Sequence, residues 1–514
     1  SHPMLQRART TPMAMEEATI KANRHPQMGR DSAWLAGADL VAVFLALFGQ
    51  VVLTRALWTE SYGIYIIALD VFATLFLVID LGLPTLLARD GPNAPHRIWP
   101  AIVRIYRLQL KAAVPFLLFA IIASPLIDSN WTSHLPVMSI CALIAFTHIA
   151  SYAPRSGLRA AGEARLEAWT KVLERAITTA AYLSLYALGI TSVVGYASAF
   201  LFGALSGFLL ALWWVKRTVR VYEGQEGAQG DLGEAWLDNR SLMMQALPFA
   251  ITLGVLPYVV RIEKFIIGIE LGVDSAALFH VAQLAWLAGL VVPQALRAAL
   301  LPVLGKARFS PSDFGREMNA SLDVCLGLLP IGIFAGAFIA KSFLPFAFPS
   351  QYTDGSLGAS AVDLFMVLLL GWCFTLLATP TYTALQAGLQ PWLFTFFIGL
   401  VVAFATVLGF LLIDWQAPLG DRQGLYAAAI ASTLSAAFAF LLSIHLAGSW
   451  DFFFNRSKEW LFAITCMSLS CFGLYSNTWL AGTGLLLFWF IPQALRAIDS
   501  TVEESTLVKT SGEE

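Results

Sequence analysis

The stretch from Arg55 to Asp90 reads RALWTESYGIYIIALDVFATLFLVIDLGLPTLLARD. Its mostly apolar centre, Tyr62 to Ala88, is long enough to cross a bilayer as a helix, at about 20 residues per crossing. It opens on a short turn carrying Gly63 and Tyr65, holds Asp70 and Asp80 at membrane depth, and closes on Gly82, Pro84 and Arg89. Carboxylates at that depth are costly and face a cavity or a partner rather than lipid. One helix cannot shield them, so the remaining helices must build a polar interior.

The rest of the chain has the composition to do so. Of its 514 residues, 58% are hydrophobic and only 13% charged, with a mean hydropathy of +0.69. Soluble domains carry about 25% charged residues, so the sequence predicts an all-α polytopic membrane protein. A net charge of −2 gives no reason to expect a nucleic-acid partner. The five cysteines (Cys141, Cys325, Cys373, Cys466 and Cys471) lie scattered in apolar runs without metal-ligand spacing, which predicts buried structural thiols.

Fourteen apolar segments follow one another, near 33–57, 62–88, 102–127, 135–154, 168–189, 192–215, 242–267, 275–303, 318–346, 357–380, 391–413, 422–446, 459–475 and 479–497. They divide the chain into a polar tail (1–32), a first six-helix lobe (33–215), a linker rich in Gly, Glu and Gln (216–241), a second six-helix lobe (242–446), an extra helix pair (447–497) and a second tail (498–514). Lys and Arg concentrate in alternate loops: Arg89/Arg97/Arg104/Arg107, Arg155/Arg159/Arg165, Lys216/Arg217/Arg220, Lys306/Arg308/Arg316 and Arg456/Lys458 share one side. The opposite turns contain only Arg422, so an even helix number with both termini cytoplasmic satisfies the positive-inside rule.

An internal repeat supports the two lobes. Pro154–Gly162 reads PRSGLRAAG in the fourth segment, and Pro380–Gly388 reads PTYTALQAG in the tenth. The second segments of the two halves also correspond loosely, ESYGIYIIAL against VDSAALFHVA. Six helices return the chain to its starting side, so the repeat is parallel, with an axis along the membrane normal and a site between the halves.

Several motifs together carry a resemblance to a known family. They are the G-I-Y of the opening stretch, the membrane-embedded D-L-G-L-P and A-R-D, RSGLRAAGE at Arg155–Glu163, RIEKFIIGIELG at Arg261–Gly272 and ALRAALLP at Ala295–Pro302. In this order the chain, from Ala33 to Gly448, resembles Wzx-type flippases for lipid-linked oligosaccharides, of the superfamily (MOP) that also holds lipid II flippases and MATE exporters. The resemblance implies translocation of an undecaprenyl-diphosphate-linked oligosaccharide across the bacterial inner membrane by alternating access, for surface polysaccharide assembly. It implies no cofactor, a coupling H+ or Na+, and as partners the lipid-linked sugar, membrane lipids, and a polysaccharide polymerase and co-polymerase. Asp39 departs from the apolar first helix of the flippases and is more reminiscent of the MATE exporters, so a cation-coupled drug antiporter is the alternative.

A diphosphate head calls for arginine, which stays charged and binds oxyanions bidentately. The candidates are Arg55, Arg89, Arg159, Arg261, Lys264 and Arg297, with Gln283 and Gln294 on the same stripe as Arg297. Arg261 and Lys264 share a helix face by their i, i+3 spacing, four and seven residues beyond Pro257. The plainer reading of each cation is a snorkelling or helix-end role, or an ion pair with Glu263. Asp39, Asp70 and Asp80 are candidates for the coupling ion, and a charge pair with an arginine is the plainer reading of each. His148 and His280 suit satisfied positions in the core. Ala340-Lys341-Ser342 lacks the glycines of a phosphate loop. A membrane glycosyl polymerase or ligase would place a large loop outside, and the outer loops here are short.

Overall fold

The computed structural model describes residues 28–127, 131–223, 231–388, 391–456 and 459. Residues 1–27 of the expected N-terminal tail and, apart from Glu459, the pair of segments expected over 459–497 fall outside these residues, whereas 28–32 belong to the first helix. The first half contains α1 (Met28–Ala56), α2 (Thr59–Asp80), α3 (Leu83–Asp90), α4 (Ile98–Ile127), α5 (Trp131–Ala160), α6 (Ala164–Ala187) and α7 (Val193–Glu223). The second contains α8 (Asn239–Val259), α9 (Ile262–Glu270), α10 (Val273–Gly289), α11 (Val291–Ala307), α12 (Pro311–Phe338), α13 (Leu344–Ala347), α14 (Ala361–Ala387), α15 (Pro391–Gln416) and α16 (Asp421–Leu446), followed by the short α17 (Trp450–Phe454). Among the described residues every regular element is helical. Eight stretches among the described residues are long and apolar enough to cross a membrane. α6 falls short because it carries Lys171, Glu174 and Arg175 along its span, and the segment at 62–88 is broken in two.

That break explains the D-L-G-L-P motif. Leu81 and Gly82 both adopt left-handed backbone (φ 57° and 65°), α2 stops at Asp80, and Pro84 starts α3, where a missing N–H costs no bond. A Cβ on Gly82 would lie 2.6 Å from the Ala250 nitrogen and 2.8 Å from the Ala246 oxygen of α8, so only glycine allows this approach. At the other end, no turn forms at Gly63. The helix begins at Thr59 and takes Gly63 and Tyr65 into its first turns.

The corresponding segment of the second half also breaks, at Leu290 between α10 and α11. The seventh segment breaks at Val260–Arg261, just beyond Pro257. Polar caps mark several starts: the Asp238 side chain accepts from the Ser241 N–H (2.7 Å), and the Ser360 hydroxyl accepts from Val362 (3.2 Å). The Ser241 N–H and hydroxyl also hold the exposed Asp238 carboxyl below its usual range.

The two halves repeat one packing scheme. In the first, α1 lies on α6, α2 on α5, α5 on α7 and α6 on α7. In the second, α8 lies on α15, α10 and α11 on α14, α14 on α16 and α15 on α16. Counted by crossing segment, these are the same pairs six positions later, as duplication requires. The halves meet where α2 packs against α10 and α8, and one apolar core runs through that contact from Leu53, Tyr62 and Tyr65 to Phe279, Leu326 and Phe365. Cys141, Cys325 and Cys373 are buried in it.

Candidate functional site

The polar centre of the molecule is built on the break between α8 and α9. Arg261 occupies the step itself, so its side chain leaves the helix path and reaches across to α2. There its Nε lies 3.1 Å from Asp70 Oδ1, and its Nη1 donates to the Thr74 hydroxyl at 2.9 Å. Lys264, one turn on, donates to the other Asp70 oxygen and lies 3.1 Å from His280 Nδ1. An ammonium group has only donors, so Nδ1 accepts and the imidazole carries its proton on Nε2. Lys264 is buried (side chain 4% exposed), whereas Asp70 and Arg261 are partly open, at 16% and 22%. The break also frees a carbonyl, and Gln283 of α10 satisfies it: its Nε2 donates to the Val260 oxygen at 3.0 Å.

Of the three polar residues expected on one stripe, Gln283 is buried against the Val260 carbonyl. Gln294 and Arg297 instead line a cavity of about 390 Å³ within the second half, together with Glu263, Trp286 and Tyr382. The Arg297 guanidinium sits 5.6 Å over the Tyr382 ring, and its Nη1 lies 3.3 Å from the phenol oxygen. Glu263 pairs with neither neighbouring cation. It is 1% exposed, and its Oε2 and the Trp286 Nε1 have no hydrogen-bond partner among the described residues.

The other sequence candidates lie elsewhere. Arg55, at the end of α1, donates to the carbonyls of Ala347 (3.0 Å) and Phe346 (2.9 Å) and so caps α13 of the other half. Arg89 is half-exposed, with Asp90 at 2.6 Å and Gln245 at 3.4 Å. Arg159 pairs with the buried Glu167, and Asp39 receives a bond from Lys171 at 2.8 Å. Asp80 is buried, and Gln109 donates to its backbone oxygen at 3.2 Å and its carboxylate at 3.5 Å.

A second buried charge cluster did not figure among the sequence candidates. Glu174 of α6 accepts from Arg155 (2.5 Å) and contacts His148 Nε2 (3.0 Å) of α5. The exposed Tyr152, one turn from each of those α5 residues, lies in the field of Arg155, Glu174, Asp80 and Arg261 together. The signal was present in the sequence: Arg155 opens the R-S-G-L-R motif, and Glu174 is a carboxylate inside an apolar segment.

Comparisons with known proteins agree with this arrangement. The sequence matches the family model described as polysaccharide biosynthesis protein over residues 28–308. A comparison with curated protein sequences returns no match. Among solved structures, a MATE transporter in complex with MaL6 superposes with a TM-score of 0.53 at 16% identity, covering 86% of this chain and 99% of that one. An inward-facing multidrug resistance MATE transporter of the MOP superfamily gives a TM-score of 0.54 at 16% identity, over 79% and 95% of the two chains. A MOP superfamily transporter from Pyrococcus furiosus, described as having a binding pocket of reversed polarity, gives 0.53 at 15% identity, over 84% and 97%. With its helices arranged as in these structures and more than half of its length inside the family match, the chain belongs to the polysaccharide biosynthesis protein family.

Proposed function

We propose that this protein flips a lipid-linked oligosaccharide with an anionic diphosphate head from the cytoplasmic to the outer leaflet of a bacterial inner membrane, by alternating access. The observation that carries the reading is the trio of Arg261, Lys264 and Asp70. Two cations stand at membrane depth on a helix break, bridged from the opposite half by one carboxylate that leaves one positive charge in excess. A diphosphate can take the place of Asp70 on Arg261, with charge-assisted bonds of about 1.5–3 kcal/mol each. The halves then lose one of the two ion pairs that tie them, and the Asp70 oxygen freed from Arg261 can take up H+ or Na+. Outward movement of a negative head is favoured by the membrane potential, by about 2.3 kcal/mol per charge per 100 mV. The glycan stays in the polar interior, where its hydroxyls find partners, and the hydrocarbon tail stays in lipid. A polymerase and co-polymerase would receive the product.

Cation-coupled export, as in the MATE proteins, is a second reading, favoured by a different observation. The Glu263 carboxylate oxygen without a partner, beside Trp286 and Tyr382, suits a cationic guest better than a diphosphate.

The test is transport of the lipid-linked sugar in reconstituted vesicles, run beside drug efflux. Arg261→Ala is expected to lower flipping at least tenfold and to leave efflux of cationic drugs at its original level. Arg261→Lys should recover only part of the loss, because a point charge lacks the bidentate fork. Wild-type flipping by Arg261→Ala, or drug efflux that depends on Glu263, would transfer the function to the second reading.

Orientation has its own test. In a background without native cysteines, a cysteine at Ser356 should react with an impermeant thiol reagent added outside intact cells, and one at Leu237 should not. Labelling at Leu237 would invert the topology.

A further inference from the structure

A groove that the transport reading does not use runs along the seam between α1 and α6. Trp34, Gly37, Ala38 and Val41 form one wall, and Ala168, Trp169 and Val172 form the other, around a volume of about 560 Å³. The first set repeats at i, i+3, i+4 and i+7 and the second at i, i+1 and i+4, so each wall is one face of a single helix. A Cβ on Gly37 would meet nothing within 4 Å, so the groove floor is open. Arg165 continues the α6 stripe at one end and stacks 5.1 Å over the Trp34 ring. It has no carboxylate partner among the described residues, and it stands at the positive end of the α6 dipole.

We infer that this groove binds an anionic phospholipid, with the headgroup at Arg165 and the upper part of one acyl chain between the two tryptophan-bearing walls. Three features point to that occupant. The polarity is graded: a cation and two half-exposed tryptophans stand at one end, and aliphatic residues with the open glycine lie along the rest, which is the profile of one lipid leaflet. Arg165 supplies a positive charge that needs a counter-ion. The length is also right: seven residues of helix span about 10 Å. That accommodates the head-proximal part of an acyl chain and is too short for a polyprenyl tail crossing a hydrocarbon core of about 30 Å. The bound lipid would brace α1 against α6, beside the Asp39–Lys171 pair that joins the same helices.

The experiment is thermal unfolding of the full-length protein in mild detergent, with dioleoylphosphatidylglycerol or dioleoylphosphatidylcholine added. The anionic lipid is expected to raise the midpoint of the wild type by several degrees and the zwitterionic lipid to leave it unchanged. Gly37→Leu, which fills the groove, and Arg165→Ala, which removes the charge, should each lose that shift. Because the readout is the difference between lipids, a change in the variants' own stability does not affect it. Equal shifts from the two lipids, or a wild-type shift in both variants, would overturn the site. Competition by undecaprenyl phosphate at equal potency would give the groove to the carrier lipid instead and overturn the phospholipid assignment.

Discussion

Asp70→Asn is expected to cost about 3–5 kcal/mol of stability, because it leaves two cations facing a neutral amide in the membrane interior. Lys264 carries most of that penalty. Its side chain is 4% exposed, and its remaining neighbour, His280, offers one neutral nitrogen. Arg261 is more open and keeps the Thr74 hydroxyl, so its loss of the carboxylate is cheaper. Lys264→Met in the wild-type background should cost less than Asp70→Asn, since Asp70 still holds Arg261. The double variant Asp70→Asn/Lys264→Met should then recover part of the loss, with a coupling of about 0.5–3 kcal/mol. Unfolding midpoints of the four proteins in one detergent measure this. Strict additivity would mean that the pair is not formed in the folded state. In transport, Asp70→Asn should also change the dependence on pH or sodium, because it removes the carboxylate proposed to take up the coupling ion. An unchanged dependence would place the coupling elsewhere.

The second large effect is expected at Gly63. A Cβ built there lies 2.2 Å from the Val273 carbonyl oxygen and 2.8 Å from its carbon, both main-chain atoms that cannot rotate away. Restoring an ordinary contact of 3.4 Å requires α2 and α10 to part by about 1.2 Å at the end of the bundle where Thr59 receives a bond from Gln351 (2.9 Å) and Arg55 caps α13. Packed interfaces respond to such a change by switching rather than by stretching. Gly63→Ala should therefore shift the protein toward a state in which this end is open, at a cost of about 1–3 kcal/mol to the closed one. Spin labels on cysteines at Glu60 and Asp274, both exposed beside the contact, should report a longer distance in the variant, and transport should fall. An unchanged distance distribution together with full transport would show that the closed end is not part of the cycle.

The sequence by itself determined the class of the protein and much of its frame. Apolar segments of bilayer length, interrupted by loops of alternating charge, admit only a helical membrane bundle, because hydrocarbon leaves no partner for an unpaired backbone group. The D-L-G-L-P break was not read from the sequence, which takes 62–88 as one crossing helix, although the Gly and Pro that make it lie inside that apolar run. The half-to-half correspondence was legible because the Pro…Ala…Gly pattern ends the fourth helix of each half, at Ala160 and at Ala387. The tertiary structure alone decided who faces whom. Arg261, Glu263 and Lys264 are neighbours in sequence, yet two of them meet Asp70 about 190 residues away and the third turns into the cavity of its own half. Helical periodicity cannot foresee this, because the break at Val260–Arg261 interrupts the helix on which a wheel would be drawn. Arg55 was equally opaque: its partners are main-chain carbonyls, which every residue carries and no side chain announces. Glu174 needed two other residues from a different helix to become a cluster. Periodicity assigns a residue to a face of its own helix, and only the packing of the other helices supplies what that face meets.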